Sequence, residues 1–282
     1  MRWALRILVV SGALWGATAD AASPKLFSYE ASYSVQLARG SFSTGPRAAN
    51  GFLNVRFHEK CEGWDTRSRI VLDLTFRDDT TSTNERDFES FEAKDGHSYT
   101  FAARTVKGSV PVEAFRGAAE FKRGGVGKVE YEIPSEVPGG APRKLTISLP
   151  RGTLLPVAHA LELLSHAEKG DRQFRSVMFN GASSVGPRLM STVIGPQIVP
   201  MESELPQQAD IDAALLMVPA WDLNLAYYNL IDANRETPSF EVFQRFYASG
   251  VAPSFEQAFG DFTIRAELEK LQRIKPEECA KN

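Results

Sequence analysis

The sequence predicts a mainly β protein: a large curled antiparallel sheet forming a barrel or an incomplete, open barrel, with one helix, about residues 154–169, at a mouth or across the open side. Three observations predict this. Apolar residues recur at every second position in run after run. Turn-forming pairs separate those runs at short intervals. One segment alone changes to helical spacing.

The chain opens on MRWALRILVVSGALWGATADA, residues 1–21. Arg2 and Arg6 precede an apolar run from Ile7 to Ala17, which is too short to span a bilayer as a helix. Ala17-Thr18-Ala19 and Ala19-Asp20-Ala21 offer small-residue cleavage sites. This reads as a signal peptide cut near residues 19–21. No cysteine follows the apolar run to carry a lipid, and no twin-arginine pair precedes it. Export of an unfolded chain is expected, with folding outside the cytosol.

The strands follow. Leu53, Val55 and Phe57 alternate with Asn54, Arg56 and His58. Ile70, Leu72, Leu74 and Phe76 form a second run, and Val129, Tyr131 and Ile133 a third. Leu145, Ile147 and Leu149 form a fourth; Trp221, Leu223, Leu225 and Tyr227 form a fifth. Each run turns one face to a core and the other to water or a cavity. Asn50-Gly51, Asp95-Gly96, Gly124-Gly125, Pro138-Gly139-Gly140, Asn180-Gly181 and Gly260-Asp261 mark turns. The spacing predicts roughly a dozen strands, antiparallel because the links are short. An open sheet of more than about ten strands curls, closes or splits, so a barrel or incomplete barrel enclosing a cleft is expected.

Thr153–Gly170 breaks the pattern. Pro156 suits a first helical turn. Val157, Leu161 and Leu164 share a face, and Gly170 ends the helix. The apolar stripe is expected to plug a mouth of the sheet or to cover its open side. A second short helix is expected near Asp210–Met217, and Ile194–Pro206 is read as irregular.

Charge excludes one class of partner. The chain has 32 basic and 35 acidic residues, a formal net charge of −3, with no large single-sign block. A nucleic-acid ligand would need a basic face. After the leader no apolar stretch reaches membrane-spanning length. No Ser/Gly-rich linker divides the chain, so residues 22–282 are expected to form a single β-rich domain.

The chemistry-bearing residues do not assemble into a motif. His159, Glu162 and His166 share a helix face, but the outer two stand about 10 Å apart by helix rise, and the spacing is neither HExxH nor its inverted form. A packed histidine is the simpler reading. Gly181-Ala182-Ser183-Ser184-Val185 lacks the second glycine of a nucleophile elbow and precedes no helix. Gly124-Gly125-Val126-Gly127-Lys128 lacks phosphate-loop spacing and reads as a hairpin turn. No catalytic residue, metal site or cofactor is assigned. Phe240, Phe243, Phe246 and Tyr247, with Trp221, Tyr227 and Tyr228, are core residues or the lining of an apolar groove. Trp221, Tyr227 and His159 are the candidate ligand contacts.

Cys61 and Cys279 are the only cysteines. As free thiols or metal ligands they lack His or Cys companions at close spacing; intermolecular bridges are an alternative. In an exported chain an even count favours one intramolecular bond, which stabilises by up to roughly 5 kcal/mol for so long a loop. It is expected to act as a clasp that pins the last strands and the C-terminal segment to the start of a sheet whose ends would otherwise fray.

Four groups of residues together resemble a known family. They are Cys61-Glu62-Gly63-Trp64-Asp65 with Arg67, Arg69 and Phe76; Phe88-Glu89-Ser90-Phe91-Glu92 with Asp95 to Phe101; Leu149 to Pro156 with His159; and Ala226-Tyr227-Tyr228, Gly250-Val251, Gly260-Asp261-Phe262 and Cys279. The chain resembles the EipB-like cell-envelope integrity proteins of alphaproteobacteria through almost all of its expected mature length. The resemblance implies a periplasmic protein folded as an open, spiral-like barrel with a helix at its cavity. It also implies a disulfide at the positions of Cys61 and Cys279 and a TPR-containing periplasmic partner. It carries over no catalytic residue. Leu155 stands where the family leads one to expect phenylalanine, and Asn180 where aspartate is expected.

The expected function is therefore non-enzymatic support of envelope integrity, through an apolar ligand such as a lipid or lipoprotein, or through an envelope partner. A protein–protein adaptor without a ligand cavity is the alternative. A hydrolase of envelope material, built around His159, is a further one.

Overall fold

The computed structural model describes residues 25–41, 45–122, 125–135, 137, 139–205, 210–230 and 237–280; the expected leader lies outside them. Eight strands come first: β1 (Tyr29–Gly40), β2 (Ala48–Glu59), β3 (Gly63–Thr75), β4 (Thr81–Ala93), β5 (Ser98–Lys107), β6 (Val110–Phe121), β7 (Gly127–Ile133) and β8 (Arg143–Leu149). A two-residue strand, β9 (Thr153–Leu154), leads into the helix α1 (Pro156–Glu168). Then come β10 (Gln173–Met178), β11 (Arg188–Ile198), β12 (Ala220–Asn229), β13 (Phe240–Tyr247), β14 (Ser254–Ala258) and β15 (Phe262–Arg273).

All fifteen strands form one sheet, ordered β8-β7-β6-β5-β4-β3-β2-β1-β15-β14-β13-β12-β11-β10-β9. Every neighbouring pair is antiparallel except β9–β10. The order forces the curl. β8 and β9 are the two extremes of the sheet, yet only Pro150, Arg151 and Gly152 separate them in the chain. Three residues span little more than about 10 Å, so the sheet wraps until its edges nearly meet. It is a nearly closed barrel, as the sequence predicts.

Two clusters fill the inside. In the larger, Val157, Leu163, Leu164 and Ala167 of α1 pack among Tyr33, Val35, Trp221, Leu223, Ile264 and Leu271. In the smaller, Tyr99, Phe101, Phe115 and Tyr131 surround Phe179, mostly edge to face, with ring centroids 5.3–6.4 Å apart where Phe101 and Tyr131 meet their neighbours. The apolar stripe of the helix joins the core cluster, although Leu161 is only half-buried and Leu163 replaces it in the core.

Several expectations need correction. Among the described residues the strands number fifteen rather than a dozen. The helix begins at Pro156, because Thr153 and Leu154 are drawn into parallel pairing with Val177 and Met178. Near Asp210–Met217 the chain makes a single 3-10 turn, Ala213–Leu215, because Asp212 caps the Ala214 N–H and Ile211 bridges to Leu271. Ile194–Ile198 belongs to β11; a register shift between Ile194 and Gln197 accommodates Pro196.

Cys61 and Cys279 are joined, with Cα atoms 5.5 Å apart and a sequence separation of 218. Their place in the sheet differs from the expected one. β1 and β15 lie side by side in the middle of the sheet, paired from Tyr29↔Arg273 to Gly40↔Phe262. The bridge therefore does not close the open ends. It fastens a tail that is already docked: Ile274 N–H donates to Ser28 C=O at 3.1 Å, and Glu277 N–H to Glu59 C=O at 3.2 Å. The Cys61 N–H in turn donates to the Glu277 carboxylate at 3.0 Å.

Candidate functional site

The helix α1 begins without a cap of its own. Its N-cap residue, Leu155, has no side-chain acceptor. The cap comes from across the barrel. Glu92, on the inner face of β4, accepts the Val157 N–H at 2.7 Å and the Ala158 N–H at 2.9 Å. Two of the four orphan donors of a helix start are thus satisfied, and the helix dipole favours the negative charge there. Glu92 is 2% exposed. Burial pushes its carboxyl up to about 7, against the opposing effect of the two N–H donors.

His159 lies one turn further on. It is buried, its ring centroid 5.4 Å from that of Phe174, and burial lowers it to about 4. Its Nε2 has no hydrogen-bond partner among the described residues. Glu162 is exposed, and His166 Nδ1 pairs with Asp171 at 2.6 Å. The helix thus sends the three expected polar residues into different surroundings.

The second internal element is the loop Phe179–Pro187, between β10 and β11. Its carbonyls bind the inner faces of β4, β5 and β7. Tyr99 donates to Asn180 C=O at 2.8 Å and Tyr131 to Ser183 C=O at 3.0 Å. Arg86 donates to Ala182 C=O, and also to Glu113 at 3.0 Å and Thr105 at 2.6 Å. Asn180 Oδ1 accepts the Ala182 N–H at 3.0 Å, a turn that an aspartate would equally make. Gly181 has φ +63°, and a Cβ there would sit 2.5 Å from the Phe101 ring. The serines of this segment belong to a packed strap that leads into a strand, not to a nucleophile elbow.

Of the three candidate ligand contacts, Trp221 is 1% exposed and part of the core, and His159 is packed on Phe174. Tyr227 is half-buried, stacked on Phe240 at 4.2 Å. Arg188 lies over the same Phe240 ring at 5.5 Å and donates to Asn229 Oδ1 at 2.6 Å. Trp221 and Tyr227, six residues apart on β12, stand about 20 Å apart along the strand. The structure does not bring the three together.

On the outside, a depression of about 690 Å³ crosses β1–β5, walled by Arg56, Arg67, Arg69, Asp87, Glu89 and Arg104. Its charges largely answer one another: Arg69 pairs with Glu85 at 2.8 Å and Asp87 at 3.1 Å, and Arg67 with Asp65 at 3.2 Å. Such exposed pairs contribute little stability but make a polar contact face. Among the described residues no group of His, Cys, Asp and Glu has metal-binding geometry, and no helix is long and apolar enough to cross a membrane.

The sequence reading missed Glu92, Arg86 and the strap. The signal for Glu92 was its position: it sits in the same alternating phase as Phe88 on β4, opposite Trp64. That phase becomes inward only once the pairing of β3 with β4 is known.

Residues 20–275 match the family model described as EipB-like. The chain is 24% identical over 258 residues to the cell envelope integrity protein EipB of Brucella abortus (strain 2308), covering 91% of this chain and 87% of that protein. A crystal structure of a beta-barrel-like protein of the domain of unknown function DUF1849, also from Brucella abortus, superposes with a TM-score of 0.77 at 22% identity. That match covers 89% of this chain and 99% of the other.

Proposed function

The chain belongs to the EipB-like family, and from that premise we propose that it supports cell-envelope integrity in the periplasm as a non-enzymatic docking protein. One observation carries the docking reading. The barrel's interior is taken up by the protein's own helix and by the Phe179–Pro187 strap, whereas a sheet edge and polar outer depressions remain accessible. The bridged cysteines suit an oxidising compartment. Among the described residues the buried His159 has neither the nucleophile nor the orienting partner that hydrolysis requires. A TPR-containing periplasmic protein, the partner implied by family resemblance, is the first to test.

Photo-crosslinking residues placed singly over the outer face and the sheet edges, in living cells, test this reading. Trapping of the same envelope protein from a contiguous set of positions supports it. Absence of any crosslink, with envelope defects rescued in full by every variant, would overturn it.

A second reading rests on the Arg188, Tyr227 and Phe240 cluster. An inward guanidinium on an aromatic face suits the acidic head of an apolar ligand. Native mass spectrometry of protein purified from its own periplasm tests it; an unliganded mass in gentle conditions counts against it.

A further inference from the structure

The barrel is not sealed, and the hydrogen-bond alternation shows which groups line the opening. In the β6–β7 hairpin the Lys122 N–H donates to Val126 C=O at 3.0 Å. By the antiparallel alternation, Glu120↔Lys128, Ala118↔Glu130 and Arg116↔Glu132 then exchange the β6–β7 bonds. The intervening residues of β7 turn to β8, so Arg143, Leu145, Ile147 and Leu149 carry the β7–β8 bonds. The backbone N–H and C=O groups of Lys144, Thr146 and Ser148 point the other way. No hydrogen bond reaches them among the described residues.

Across the gap, β9 covers β10 only at Val177 and Met178. The Ile194 N–H donates to Arg172 C=O at 2.9 Å, so the same alternation leaves Gln173 and Arg175 facing the gap. Both lips are basic. Arg143 and Lys144 stand on one and Arg172 and Arg175 on the other, all exposed. The only ion pair any of them makes among the described residues is Lys144 with Glu132, at 4.0 Å. The β8 lip also alternates: Leu145 and Ile147 lean inward, half-buried, while Lys144, Thr146 and Ser148 face water.

We propose that the free edge of β8 docks an extended acidic peptide segment of an envelope partner as an added antiparallel strand, next to β8 in the seam facing β10. This rests on the docking reading above and names its site. Three donors and three acceptors await pairing, which gives affinity; alternate apolar side chains would lie beside Leu145 and Ile147, which gives register. Carboxylates near the incoming strand's C-terminal end would face Arg143 and Lys144. The like-charged lips of a second copy are a poorer match.

The test uses the folded mature protein and a synthetic ten-residue peptide of alternating valine and threonine ending in two glutamates. Its binding is followed by fluorescence anisotropy. Thr146→Pro removes a free N–H while leaving every β7–β8 bond, a position where an edge strand tolerates proline. The expected result is saturable binding, weakened at least about tenfold in Thr146→Pro, which corresponds to the loss of about 1.4 kcal/mol, with an unchanged melting temperature. A lysine-ended peptide should bind more weakly than the glutamate-ended one. Equal binding of both peptides, equal binding by Thr146→Pro, or no binding at millimolar peptide would overturn the proposal. So would concentration-dependent dimerisation abolished by Thr146→Pro, since the occupant would then be a second copy. Cellular crosslinks confined to positions away from 144–148 would remove this edge from the account and leave the docking reading standing; no crosslink anywhere would remove both.

Discussion

Glu92 and His159 face opposite electrostatic penalties within one helical turn of each other. Burial raises the Glu92 carboxyl to about 7 from an ordinary 4.5. Between those values the folded state holds a proton that the unfolded state has released, so this contribution is fully present below 4.5 and is lost as pH rises through 7. Burial lowers His159 to about 4 from 6.5. Here the unfolded state binds the extra proton, so the contribution is present above 6.5 and is lost as pH falls through 4. Each is worth roughly 3 kcal/mol, and between pH 4.5 and 6.5 the two slopes oppose. Glu92→Gln removes one of them. Its unfolding free energy is expected to fall more steeply than the parent's on acidification from 6.5 to 4.5, read from urea melts at a series of pH values. Parallel pH profiles would count against the protonation assigned to Glu92. Glu92→Leu, which orphans the Val157 and Ala158 N–H groups, should cost about 1–3 kcal/mol above pH 7, and more on acidification, because the Glu92 contribution is lost with it.

At the scale of elements, legibility tracked how local the cause was. The alternation around Leu53, Ile70, Tyr131, Leu145 and Leu223 lies in β2, β3, β7, β8 and β12, because period two is a property of a strand by itself. The helix was legible from Pro156, its apolar stripe and Gly170. Its first residues were not, because a tertiary partner, β10, pulls Thr153 and Leu154 into strand. The short helix expected near Asp210–Met217 became a 3-10 turn for the same kind of reason: a bridge from Ile211 to Leu271 outweighs local spacing. The Phe179–Pro187 strap had no local signature beyond Asn180-Gly181; its role comes from hydroxyls and a guanidinium on three other strands. Gly181→Ala tests that role. A left-handed φ and a Cβ pressed against the Phe101 ring should together cost about 2 kcal/mol or more, read as a lowered denaturation midpoint. A variant as stable as the parent would mean that the strap is not wedged there.

The whole molecule is a sheet whose termini lie at its centre and whose edges lie mid-chain. That arrangement was hidden in the sequence, because strand order is a long-range property. The cysteine pair was legible, but its mechanical role was not. Reduction removes a constraint on the unfolded chain over 218 positions, so the melting temperature should fall. β15 nevertheless stays paired along β1, so limited proteolysis under reductant should trim the tail beyond Arg273 and spare β15. Cleavage within β15 would show that the bridge, rather than the pairing, holds the C-terminal strand. The docking strand proposed for the molecule would lie on the opposite side of the barrel, where the sheet fails to close. Residue-resolved amide exchange along β8 in the folded protein tests this most directly. The account predicts alternation, with Lys144, Thr146 and Ser148 exchanging fast and Leu145, Ile147 and Leu149 protected; uniform protection from Lys144 to Leu149 would mean a sealed barrel and would contradict it.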